Sequence, residues 1–412
     1  MNIKFIYLFL GFLIPVLSFA QPKDLDYFVN NAIANSPLLN ENRNNILIAG
    51  VDSELIVAAN RYQITGNGNA YYAPIVKGYG YDKAITNGQQ LSALIALNKQ
   101  IYNKRNLSLQ FADIQLQKDS LRISSTISQQ DLKRNIITQY IIVYSDQLQI
   151  KFNIELHNLL QRQEIILKKL TQQNVYRQVD YLSFLVTVQQ QNLATQQLEV
   201  QHKNDFSVLN YLAGIFDTTT VALEEPNLKV VRTFITDSPV FFLKYKIDSL
   251  RLINSRALID LGYRPKVSLF ADAGYQSSFD VNPYKNFGTN IGINFSIPIY
   301  DGRQRRLQYS RFSIQERTRQ KNRDFFQRQY YQQIALLQQQ LSLIQSLESS
   351  INDQIKFLET LIEANGKLLE TGDIKMTDYI LALNNYITAR NLLVQNKVSR
   401  YQIINQLNYW NK

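Results

Sequence analysis

The 412-residue chain carries few side chains suited to covalent or metal chemistry. It has no Cys, and its two His, His157 and His202, have no neighbour at metal-ligand or nucleophile spacing. Both read as helix-surface residues, and the scarcity of His, Met and Cys argues against a soft-metal site. No catalytic, cofactor or metal site is expected, and the chain does not read as an enzyme. The charges that stand out by spacing form two matched pairs: Arg177 three residues before Asp180, and Lys375 three before Asp378, with Gly372 six positions ahead of Asp378. Each pair can bridge along its own helix, a contact worth about 0.2–0.5 kcal/mol. Alternatively the pairs cross, Arg177 meeting Asp378 and Lys375 meeting Asp180 of an adjacent hairpin.

A third group of charges is denser. Between Arg303 and Arg328, nine basic residues face only Glu316 and Asp324, in a chain of formal net charge +11. A basic helix can bind nucleic acid, but charge alone specifies no partner, and the amino terminus points to export. Lys4, an apolar run from Phe5 to Val16 and the small residues Ser18 and Ala20 form a signal-peptide pattern over residues 1–20. That run contains Pro15 and is shorter than the ~20 residues a spanning helix needs. No Cys follows it to carry a lipid, and nucleic acid is not an expected partner. No later segment approaches eighteen consecutive apolar residues, so any membrane insertion must use strands.

The elements that position these charges come in two copies. A shift of 198 places Ile101-Tyr102-Asn103 on Ile299-Tyr300-Asp301, Lys169-Leu170 on Lys367-Leu368, and Asp180-Tyr181 on Asp378-Tyr379. Ser36-Pro37 matches Ser238-Pro239 at a shift of 202. After the signal segment, residues 21–223 and 224–412 therefore form two repeats. Each starts with a helix near its Ser-Pro, continues through two strands (62–76 and 89–101; 265–279 and 287–300), and ends in a long helical hairpin (103–213; 303–410). In the second hairpin Ile334, Leu337, Leu341, Ile344, Leu347, Ile351, Ile355, Leu358 and Ile362 keep a 3-4 spacing, a coiled-coil seam. A chain reversal is expected near 172–179, and its equivalent at 371–377, with Gly372 supplying a permissive backbone.

The strands alternate. Phe287, Ile291, Ile293, Phe295 and Ile297 share the odd face, and Asn290, Asn294 and Ser296 the even face, so the odd set is expected to meet lipid and the even set a wet lumen. A strand of ~14 residues rises about 46 Å, enough to cross a bilayer at a tilt. Four strands cannot close, however, and open edges are excluded from lipid because their N–H and C=O groups stay unpaired. Closed barrels begin at about eight strands, so at least two chains must contribute. The first turns of the basic run, where the barrel ends, are then expected to meet anionic headgroups or line the passage.

Over essentially the whole mature chain the sequence resembles the TolC-like outer-membrane efflux and secretion-duct family. The resemblance rests on the paired Ser-Pro starts, on "YRPKVSLFADAGY" followed by "NFGTNIGINFSIPIYDGRQRR", and on "LLETGDIKMTDYILALNNYITARNLL". It implies a mixed α/β membrane protein: a homotrimer whose chains each give four strands to a shared β-barrel, continued by an antiparallel coiled-coil α-helical tunnel in the periplasm. It implies a passive exit duct working with a periplasmic adaptor (a membrane fusion protein) and an inner-membrane pump of RND, ABC or MFS type, seated in outer-membrane lipid. Gly372 and Asp378 match the family's tip pattern, and with the repeat's charge pairs this gives Asp378, Lys375, Asp180, Arg177 and Gly372 as the expected aperture set. The second acid common there is replaced by Leu381, and the family's basic tip position near Ile374 is not matched. The alternative reading is a periplasmic coiled-coil adaptor or scaffold that does not insert in the membrane.

Overall fold

The computed structural model describes residues 22–82, 89–101, 104–231, 239–278 and 282–411. The expected signal peptide, and Ser238 of the second Ser-Pro, lie outside them. The elements are α1 (Leu25–Asn35), α2 (Pro37–Ala59), β1 (Gln63–Tyr72), β2 (Gln89–Ile101), α3 (Lys104–Gln172), α4 (Gln178–Ala213), α5 (Val240–Gly262), β3 (Lys266–Ser277), β4 (Phe287–Ser296), α6 (Gln304–Thr371) and α7 (Met376–Trp410), with a 3-10 turn at Pro283–Lys285. The expected order of helix, two strands and long hairpin recurs in both halves. The outgoing helices have 69 and 68 residues, and the returning ones 36 and 35. At about 1.5 Å per residue the outgoing helices run roughly 100 Å.

The chain divides into two compact units, and α3 and α6 contribute to both. One unit holds the sheet, α2, α5 and the amino-terminal parts of α3 and α6. All neighbouring strands pair antiparallel in the order β1-β2-β3-β4, so the two repeats meet at β2 and β3. Registers such as Ile64↔Leu97, Leu97↔Ala271 and Ala271↔Ile291 put one residue from each strand in line. Helix α5 packs on α6 through the rings of Phe242, Phe326 and Tyr330. There Arg319 is held by Glu316 at 2.6 Å and donates to the Tyr245 carbonyl at 3.0 Å.

Strand β3 ends at Ser277, and residue 279 of its expected span lies outside the described residues. Two other strand ends fall short of expectation, and proline is the reason in both. Strand β1 stops at Tyr72, short of residue 76, because Pro74 has no N–H to give a ladder. Val76 and Tyr79 instead bond each other across a turn, at 2.9 and 3.1 Å. Strand β4 stops at Ser296, before Pro298, so Ile297 lies just beyond the strand rather than in it. The sequence also gave no helix to the segment before Ser36, where α1 forms, its start capped by the Asp24 carboxylate accepting from the Tyr27 amide at 2.9 Å.

The second unit is helical and has two main cores. In one, Phe28 of α1 packs edge-on against Tyr140 of α3 and Phe206 of α4. The Tyr140 hydroxyl donates to the Glu224 carbonyl at 2.7 Å. Lys23 bridges Leu223, and the Glu224 amide donates to the Lys23 carbonyl at 3.3 Å, so the start of the first repeat meets the junction with the second. The other core gathers Phe152, Leu156, Leu160 and Leu167 of α3, Phe184 and Val188 of α4, Ile362 and Leu369 of α6, and Tyr379 and Leu383 of α7. The expected seam of α6 is mostly in place. Leu337 meets Ile403 and Leu407, and Ile351 and Ile355 meet Ala389, all on α7, whereas Leu347 is exposed.

Candidate functional site

Two places carry the sequence's candidate residues: the sheet and the pair of tip turns. In the sheet, the registers collect a largely apolar face from Ile64, Leu91, Ala93, Ile95, Leu97, Val267, Leu269, Ala271, Ala273, Tyr275 and the odd residues of β4, with Lys99, opposite Leu269, as a cation on it. The opposite face carries Thr65, Asn67, Asn69, Ser92, Asn98, Ser268, Asp272, Gln276, Asn290, Asn294 and Ser296. The odd residues of β2, β3 and β4 and the even residues of β1 thus share one face, with Leu94 as an apolar residue on the other. Phe270 is an apolar residue on the polar face, opposite Gly292. A Cβ on Gly292 would stand 2.4 Å from the Phe270 ring, so the glycine makes room for it. The apolar face is uncovered in the single chain: Ile291 is 83% exposed, Ile293 71% and Phe295 61%.

The two tip turns have matching geometry. In each, one residue takes the left-handed conformation, Asn174 (φ 61°) after α3 and Gly372 (φ 81°) after α6. The next residue's amide then reaches five back: Val175 to the Leu170 carbonyl and Asp373 to the Leu368 carbonyl, both 2.9 Å. The structure brings the turns together. The Tyr176 hydroxyl donates to the Ile374 carbonyl at 2.9 Å, and a Cβ on Gly372 would lie 2.6 Å from Val175 Cγ1. Burial raises the Tyr176 phenol above its ordinary value and pushes that of Tyr379 up to about 12.

The charged pairs at the tips differ from each other. Arg177 caps α4 and places its guanidinium 3.4 Å from Asp180, with side chains 86% and 22% exposed. The Asp180 carboxylate also accepts the Arg177 backbone amide at 3.3 Å. Within the chain, the bridge along the helix is thus the one made. Lys375 occupies the equivalent cap of α7, and the Asp378 amide donates to the Lys375 carbonyl at 3.0 Å. Among the described residues neither Lys375 nor Asp378 has an ion-pair partner in the same chain, and Asp378 is exposed.

A third charged place was not foreseen. Asp146 of α3, 3% exposed, lies against Asp205 of α4, and burial followed by repulsion from Asp205 pushes its carboxyl up to about 7. His202 stands beside them, packed edge-on to Phe206. Burial lowers its pKa, opposed by its bond to the Val143 carbonyl and by Asp205. His202 is therefore not the helix-surface residue expected, because α4 turns it toward α3. Among the described residues no group of three or more His, Cys, Asp or Glu is placed to hold a metal, and no helix is long and apolar enough to cross a membrane.

Solved structures place this architecture. VceC, an outer membrane protein of Vibrio cholerae, superposes with a TM-score of 0.77 over 94% of this chain and 96% of its own, at 12% identity. CusC, studied for folding and transmembrane channel formation, gives 0.79 over 95% and 93%, also at 12% identity. The chain has the fold of these channels. The CmeC outer membrane channel of Campylobacter jejuni agrees, with a TM-score of 0.74 over 94% and 85% at 12% identity. The channel fold is thus the TolC-like one that the sequence resembles, and at such identity the likeness is one of fold. No protein-family model matches the sequence, and no curated protein does.

Proposed function

We propose that the protein is an outer-membrane channel, a passive exit duct built as a homotrimer. Three four-stranded sheets close into one twelve-stranded barrel, and the helical hairpins line a periplasmic tunnel that meets an adaptor and an inner-membrane pump. The observation that carries this reading is the sheet, with one largely apolar face, one largely polar face and, among the described residues, no strand paired to the outer edge of β1 or β4. Such a sheet is stable in lipid only when its edges are paired in a closed ring. The fold shared with outer-membrane channels supports the same reading.

The aperture is proposed at the tip turns. Among the described residues the Asp378 and Lys375 side chains have no ion-pair partner in their own chain, and Arg177 and Asp180 stand at the equivalent level of the repeat. Charges from neighbouring hairpins would close the ring, and adaptor docking would replace them, making the tip a two-state element. The test is direct: protein extracted from outer membranes should migrate as a heat-modifiable oligomer and conduct ions in planar bilayers. A monomer recovered in the soluble periplasmic fraction would instead support the adaptor or scaffold reading.

A further inference from the structure

The join between β4 and α6 is built around one carboxylate. Asp301 accepts the amides of Arg303 at 2.9 Å and Arg305 at 2.8 Å, and these bonds, with one from the Tyr263 hydroxyl, hold its carboxyl below the usual range. Gly302 and Arg303 both take the left-handed conformation to make the turn. Asp260 is likewise engaged, by Arg305 at 2.7 Å and by the Tyr309 hydroxyl. The Arg305 guanidinium lies over the rings of Tyr263 and Tyr309, and that of Arg256 stands 4.6 Å from the centre of the Tyr309 ring.

These two carboxylates face a larger number of cations. Arg303, Arg305 and Arg306 line a cleft of about 470 Å³ together with Pro298, Ile299 and Tyr300. An adjoining cleft of about 290 Å³ shares Arg305 and Tyr263 and adds Arg105 and Arg264. Among the described residues Arg264, Arg303 and Arg306 form no ion pair, and all three are exposed. Beside the cations the chain presents bare apolar surface, with Ile299 and Tyr300 fully open in the same cleft. A cationic pocket against an apolar wall fits an amphiphile whose head is an anion.

We propose that this join binds an anionic phospholipid, its phosphate held by Arg264, Arg303 and Arg306 and its acyl chain laid along Ile299 and Tyr300. Arg305, fixed by Asp260, sets the floor of the site. The inference rests on the channel reading, since it places the join at the leaflet edge where β4 leaves the membrane. It also gives the first cations of the basic run a ligand.

The test uses the full chain purified in a neutral detergent, with phosphatidylglycerol, phosphatidylcholine of the same acyl chains, and inorganic phosphate as probes. Retention is read by native mass spectrometry and by the thermal midpoint of the oligomer. Phosphatidylglycerol should be retained in preference to phosphatidylcholine, and inorganic phosphate should not displace it. Arg264→Gln/Arg303→Gln/Arg306→Gln should weaken retention by about a hundredfold, at roughly fivefold for each cation near a lipid surface. Arg317→Gln/Arg323→Gln/Arg328→Gln, an equal charge change farther along α6, should retain the lipid as the unaltered protein does. Equal retention by both triple variants would overturn the site, as would full displacement by inorganic phosphate, which would mark a site for free anion. Pore formation in phosphatidylcholine bilayers is measured in parallel. Pores without selective retention defeat the lipid site alone, and absence of pores defeats the channel reading and the site with it.

Discussion

The Tyr176 hydroxyl donates across 2.9 Å to the carbonyl of Ile374, a residue 198 positions away and its own counterpart in the duplicated half. The two tips of the chain are thus bonded through equivalent places that carry different side chains, and only the Tyr can donate. Tyr176→Phe keeps the ring in the core and removes the bond, so the chain should lose about 1 kcal/mol. The thermal midpoint of the purified protein and cleavage by protease near residues 172–178 report it. An unchanged midpoint with unchanged cleavage would mean that the bond contributes nothing to holding the tips together.

Charge at the tips should act between hairpins. Asp180→Ala combined with Asp378→Ala should raise single-channel conductance and let cells take up large antibiotics without any pump. The crossed swap, Arg177→Asp with Asp378→Arg, should restore closure better than either half alone. By contrast, the bridge from Arg177 to Asp180 on one helix is largely solvated and worth only ~0.2–0.5 kcal/mol. Conductance that stays at the original level in intact double-alanine oligomers would show that these carboxylates do not hold the gate.

The two faces of the sheet should respond differently to the same charge. Ile293→Arg places a cation on the apolar face and should cost about 2–4 kcal/mol if it falls near the bilayer midplane, whereas Asn294→Arg points to the polar face and should insert normally. Membrane-integrated yield after extraction separates them. Equal loss for both would contradict the assignment of lipid and lumen faces.

Asp146 should give the helical unit a pH dependence. Its carboxyl is pushed up to about 7 in the folded chain, whereas the unfolded chain releases the same proton near the ordinary carboxylate value of ~3.9. Between about pH 4 and pH 7 the folded state therefore binds more protons, and stability falls as pH rises, by at most ~1.4 kcal/mol per unit. The contribution is complete below that window and lost above it. Asp146→Asn retains the shape without the charge, so its thermal midpoint should vary less with pH and exceed that of the unaltered protein at pH 8. A midpoint with the same pH profile in both proteins would remove Asp146 as the cause.

Much of the fold is legible in the sequence because its two periodicities are long and uninterrupted. Odd and even residues of β4 declare their faces, and the absence of Gly and Pro from 103–213 declares a helical hairpin. The ends of β1 and β4 are less legible, because Pro74 and Pro298 act through a missing N–H that apolar alternation does not register. At the tips Gly372 announces its left-handed turn, while Asn174, its counterpart, is a weaker signal for the same conformation. The contact of Asp146 with Asp205 and the bond from Tyr176 to Ile374 depend on which helices lie side by side. No spacing along one helix encodes them. The pairing of Arg177 with Asp180 is local, and spacing offers it as one of two alternatives.

The sheet contains a template for its own continuation. Ser296 lies 198 positions beyond Asn98, and Lys266 lies 203 beyond Gln63, yet Gln63 pairs with Asn98 as Lys266 pairs with Ser296. Strand β3 is therefore the structural twin of β1, and β4 of β2. It follows that the seam where β2 meets β3 inside the chain foreshadows the seam where β4 would meet β1 of the next copy. Carried over by those offsets, Ala96 opposite Asp272 becomes Asn294 opposite Asn69 of the adjoining subunit. Six quasi-equivalent hairpins would then circle the pore, with each boundary between subunits imitating one within them. Asn69→Cys with Asn294→Cys should yield covalent trimers under mild oxidation, while Asn67→Cys with Asn294→Cys, out of step by two residues, should yield far fewer. The reverse preference would mean that the subunits join in a register of their own.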